Sequence, residues 1–71
     1  MENVFKDRLK ELREERGLTL DKLSAALGGK ISRAALGRWE QGLRTPNMEN
    51  IKLLAKFFGV TSDYLIGLTD Y

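Results

Sequence analysis

The sequence predicts an all-α fold of five short helices around one core, with a turn-linked helix pair at its centre. Three observations predict it. Apolar residues recur at helical spacing in segment after segment, and no segment alternates with period two. Between the segments stand Gly17, Gly28-Gly29, Gly42, Gly59 and Gly67, while Thr19, Ser32, Asn47 and Thr61 or Ser62 occupy positions where a helix N-cap is needed. The 71 residues make one domain, 1–71. A domain of this size buries only about 60% of its unfolded surface.

In the first segment, residues 3 to 16, Val4, Phe5, Leu9 and Leu12 form an apolar stripe that Gly17 ends. Its charges are mixed in sign and read mostly as a solvated face, worth tenths of a kcal/mol per pair. Thr19 then caps a second helix, whose first turn carries Asp21 at the positive end of the helix dipole. Leu20, Leu23 and Leu27 give its buried stripe, and the small Ser24, Ala25 and Ala26 allow another helix to pack closely. After Gly28 and Gly29 come Ile31 and a helix capped by Ser32, so the spacing is that of a helix-turn-helix. Leu43 to Pro46 form a loop, and Asn47 caps a fourth helix over 48–58 with Ile51, Leu54, Ala55 and Phe58 inward. A last short helix holds Tyr64, Leu65 and Ile66 before Gly67.

Composition narrows the function. Hydrophobic content of 42% and charge of 31% fit a soluble globular protein. With no cysteine and no histidine, disulfides, thiolate metal sites and the commonest general base are all excluded. No paired carboxylates or glycine-rich phosphate loop stand at a recognisable spacing, so the sequence implies no catalytic residue, metal, cofactor or small-molecule ligand. The apolar runs are too short to span a membrane, and the start MENVFKDR is unlike a signal peptide, which points to the cytoplasm.

The most informative stretch is Ser32 to Gly42, SRAALGRWEQG. On a helical wheel Leu36, Trp39 and Glu40 fall on one side, and Arg33, Ala34, Gly37, Arg38 and Gln41 on the other. Two arginines on an exposed face are often no more than a solvated face. Here small residues separate them, which lets the backbone approach whatever they touch, and arginine is the commonest bidentate reader of guanine in the major groove. Charge distribution favours the second reading. Between residues 30 and 44, Lys30, Arg33, Arg38 and Arg44 stand against Glu40 alone, whereas residues 1–29 are neutral and 45–71 carry one net negative charge. The sequence pI of about 9.2 agrees with a phosphate-facing surface.

Leu12-Arg13, Gly17-Leu18-Thr19, Trp39-Glu40-Gln41-Gly42, Pro46, Gly59-Val60 and Asp63-Tyr64-Leu65 follow in order at telling spacing. With them the chain, from about Phe5 to Asp70, resembles the XRE family of helix-turn-helix domains, the type found in Cro and phage repressors. The resemblance implies a lambda-repressor-like fold and base contacts from Arg33, Ala34, Gly37 and Arg38. It implies phosphate contacts from Thr19, Lys22, Lys30, Ser32, Gln41, Arg44 and Thr45, and an ion pair between Arg13 and Glu40. A buried Glu40 beside Trp39 would in any case need a partner. Two departures stand out. Leu20 occupies the place where the family usually has a glutamine on the DNA backbone, and the turn through Gly28-Gly29-Lys30 is about two residues longer than the common form.

The favoured function is sequence-specific binding of double-stranded DNA as a repressor-like transcriptional regulator, dimeric on paired half-sites. The alternative is a protein-interaction or antitoxin-like module with only weak, nonspecific DNA affinity. In the resembling family, dimers meet through the end of the fourth helix and the start of the fifth. That region offers Phe57, Phe58, Tyr64, Ile66, Leu68 and Tyr71. Phe58 and Leu65 are expected to turn inward, leaving some of Phe57, Tyr64, Ile66 and Leu68 as an apolar contact patch.

Overall fold

Side-chain caps begin four of the five helices. In the computed structural model, which describes residues 4–70, α1 spans Val4–Glu15, α2 Leu20–Ala26, α3 Arg33–Glu40, α4 Met48–Phe58 and α5 Ser62–Ile66. Thr19 Oγ1 accepts from the Lys22 N–H, Ser32 Oγ from Ala35, Asn47 Oδ1 from Asn50 and Thr61 Oγ1 from Tyr64, each satisfying one of the helix's open donors. Thr61, not Ser62, is thus the last cap. Among the described residues there is no strand, and the fold is all-α. Tyr71 and the first three residues lie outside the described residues.

Each helix contributes to one buried cluster: Phe5 and Leu9 from α1, Leu23 from α2, Leu36 and Trp39 from α3, the α4 stripe, and Leu65 from α5. Phe5 meets Trp39 edge to face with ring centroids 6.4 Å apart, so the tryptophan is a core residue. α3 packs on both α1 and α2, and α5 packs on α1 and α4. The long turn between α2 and α3 is ordered from both ends. Buried Leu27 and Ile31 anchor it, Gly28 and Gly29 both take positive φ (72° and 74°), and Ser24 Oγ donates to the Ile31 carbonyl at 2.7 Å. Ser24, chosen by the sequence reading for its small size, therefore also holds the turn.

Arg8 of α1 and Arg16, just past its end, depart from the solvated-face expectation. Arg8 donates to the carbonyls of Tyr64 and Thr69, lies 3.6 Å from the Asp70 carboxylate, and stacks 4.2 Å from the Tyr64 ring centroid. Arg16 donates to the Phe58 carbonyl at 3.1 Å and covers the rings of Phe57 and Phe58. A guanidinium can satisfy helix-end carbonyls and lie flat on an aromatic face at once, so these side chains replace water over apolar surface.

Candidate nucleic-acid interface

The orientation of α3 follows from what it buries. Leu36 is fully buried and Trp39 nearly so, and these two side chains fix the helix's rotation about its axis. Glu40 completes the inner side. Its carboxylate accepts from Arg13 Nε at 2.7 Å and Nη2 at 2.9 Å, a bidentate pair with both side chains largely covered. Arg13 Nη1 also donates to the Leu18 carbonyl at 2.8 Å, so one guanidinium joins α1, the α1–α2 connection and α3. The hydrogen bond to Glu40, ahead of the opposing effect of burial, raises the Arg13 pKa further above its ordinary value.

With that side fixed, Arg33, Ala34, Arg38 and Gln41 are exposed on the opposite side and Gly37 lies half-covered between them. Together with Leu20 they line one open depression. All four residues that the sequence reading assigned to base contact are thus brought onto a single surface. Leu20 is the correction. It belongs to the buried stripe in the sequence reading, but as the first residue of α2 it is only half-buried and faces α3, with Cδ1 3.7 Å from where a Cβ on Gly37 would stand.

One contact on this face has no precursor in the sequence reading. Asp21, read there only as a dipole partner, sits with its carboxylate 3.4 Å from Arg33 Nε. Both side chains are about two-thirds exposed or more (73% and 67%), so the pair adds little to stability. Its effect is to occupy one edge of the Arg33 guanidinium. Arg38 and Arg44 form no ion pair among the described residues.

Thr19, Lys22, Lys30, Ser32, Gln41, Arg44 and Thr45 are all exposed. Thr19 and Ser32 use their oxygens as cap acceptors, and a hydroxyl in that role keeps its hydrogen for another acceptor such as a phosphate oxygen. Lys30 does not join the depression around Leu20. It lines a second one, with Glu49, Asn50, Lys52, Leu53 and Lys56 of α4. Of the candidates for contact between copies, Leu68 is 74% exposed, while Phe57, Tyr64 and Ile66 are half-buried. Arg16 and Arg8 lie over the first two, which narrows the apolar patch. Among the described residues no helix is long and apolar enough to cross a membrane, and no three acidic residues gather as a metal site.

Comparison with known proteins gives this surface its context. A helix-turn-helix family profile matches residues 9–65. The chain is 42% identical over 62 residues to the HTH-type transcriptional activator BcrR of Enterococcus faecalis, covering 87% of this chain and 29% of that protein. It is 36% identical over 61 residues to the HTH-type transcriptional regulator AnsR of Bacillus subtilis, 86% and 51% of the two chains. It is 34% identical over 58 residues to the cryptic phage CTXphi transcriptional repressor RstR of Vibrio cholerae, 80% and 50%. The chain thus spans about half the length of most such relatives, and less of the activator. No solved structure matches. Given a profile match over most of its length and five helices arranged around a turn-linked pair, the chain belongs to the XRE-type helix-turn-helix family of DNA-binding regulators.

Proposed function

We propose that this chain, as one domain acting in the cytoplasm, binds double-stranded DNA sequence-specifically by laying α3 in the major groove, and represses transcription by occupying its site. The observation that carries this reading is the gathering of Arg33, Ala34, Gly37 and Arg38 on one open surface of a helix whose other side is locked by Leu36, Trp39 and Glu40. Arginine presents paired donors that match guanine O6 and N7, and small neighbours let the helix seat deeply enough to use them. Phosphate contacts would come from Thr19, Lys22, Ser32, Gln41, Arg44 and Thr45 around that surface, with Lys30 further out.

Two copies on paired half-sites fit the dimensions. The molecule measures 28 × 24 × 22 Å, less than the roughly 34 Å that separates successive turns of a major groove, so neighbours sit on one DNA face without overlap. Contact between them would use Leu68 with parts of Phe57, Tyr64 and Ile66. So small a surface supports only a weak dimer without DNA.

Selection of bound duplexes from random DNA, followed by salt titration, tests the central claim. A preferred duplex should stay bound at salt that releases random DNA. Release of all duplexes together would favour the protein-interaction alternative. Sedimentation with a duplex holding two half-sites should give two copies per duplex. A reporter with the selected site across its promoter should lose output, and a gain would identify an activator instead.

A further inference from the structure

The depression at the centre of the base-reading face has hydrocarbon for a floor. Leu20, the Ala34 methyl and the bare Cα of Gly37 line it, and Arg33, Arg38 and Gln41 form its rim. A Cβ on Gly37 would lie 3.7 Å from Leu20 Cδ1, ordinary van der Waals separation, and would meet nothing else within 4 Å. The absent side chain therefore leaves room for one methyl group against Leu20, at a position flanked by two cationic side chains. Among the base edges in the major groove, one group is apolar, the 5-methyl of thymine; the others are hydrogen-bond donors and acceptors.

We propose that the Leu20–Ala34–Gly37 depression receives the 5-methyl group of one thymine in each half-site, which makes Leu20 a specificity-determining residue. The inference rests on the major-groove reading above. Its physical basis is that water over the half-exposed Leu20 is replaced by a matching methyl, while the rim arginines engage the neighbouring guanine edges or phosphates. A polar group at this point on a base edge would lose its water and find no partner on the hydrocarbon floor.

Deoxyuridine provides the test, because it removes the methyl and leaves base pairing and every hydrogen-bonding edge in place. Each thymine of a duplex selected by the 71-residue chain is replaced singly, and affinity is measured. At one thymine per half-site binding should weaken about three- to fivefold, the value of one buried methyl. In Gly37→Ala the protein's own new methyl fills the space, so thymine and uracil should bind alike at that position, while the melting temperature equals or exceeds that of wild type. The inference is overturned if no thymine-to-uracil change weakens binding, if the selected site has no thymine, or if Gly37→Ala keeps the wild-type preference. Absence of any preferred duplex is a separate result that removes the major-groove reading itself, and this inference with it.

Discussion

Arg33 and Arg38 lie on one face but are held differently. The Asp21 carboxylate stands 3.4 Å from Arg33 Nε, whereas Arg38 forms no ion pair among the described residues. Arg33→Ala or Arg38→Ala should each cost about 1 to 3 kcal/mol on the preferred duplex and relax the preference at one base pair. Competition binding across single-base variants checks this, and an equal loss on all sequences would reassign the arginine to phosphate. Asp21→Ala should act in a distinct way, raising affinity for random DNA by removing a negative charge while loosening the preference at the pair read by Arg33. The residue types of the face were legible because helical periodicity, anchored by Leu36 and Trp39, sorts them without tertiary information. The Asp21–Arg33 contact was not, since it joins two helices and depends on their crossing, and neither residue signals the other along the chain.

Among the elements, α3 is held to α1 by the pair with the most at stake. Arg13 and Glu40 have side chains only 15% and 8% exposed, so removing one partner leaves the other charge covered and unpaired. Arg13→Ala should destabilise the fold by about 3 to 5 kcal/mol, while Arg13→Met with Glu40→Leu should cost clearly less, since the double change leaves no orphan charge. Urea unfolding of both variants measures the difference. Because Glu40 raises the Arg13 pKa, the part of the stability that depends on Arg13's own charge is fully present below the ordinary guanidinium range and is lost only as pH climbs beyond it, so the titration of Arg13 adds no pH dependence near neutrality. Caps and glycine stops made all five helices readable, since each is a local event. The packing that orders the longer α2–α3 turn was less readable, because Ser24 acts there through a carbonyl seven residues away.

For the whole molecule, the imbalance of charge toward residues 30–44 becomes a surface only where the chain is folded. Arg44, exposed in the loop after α3, should act as a phosphate contact without sequence preference. Arg44→Ala should weaken specific and random binding alike and lower the slope of log affinity against log salt by about one unit. Titration at several salt concentrations tests it, and an unchanged slope would remove Arg44 from the interface. The contact surface between copies was the least legible part of the site. Hydropathy counts Phe57 and Tyr64 as candidates, but the aromatic faces are taken by Arg16 and Arg8, and no pattern within α4 or α5 announces a cation arriving from the first segment of the chain.

The grip of Arg8 on the far end of the chain has a topological consequence. Its partners lie 56 and 61 residues away, and a Cβ on Gly67 would stand 3.1 Å from that of Val4, so the path of the backbone nearly closes on itself. A nearly closed path can be joined and reopened elsewhere. Linking residue 70 to residue 4 through a short glycine-serine bridge and cutting the exposed chain between Gly28 and Gly29 should give a circular permutant that still folds cooperatively, with the Arg8 contacts converted from distant to local ones. Helical circular dichroism and a single melting transition would register it. Because the same cut turns the α2–α3 and α1–α3 contacts into more distant ones, the rewired chain should fold more slowly than the natural order of helices.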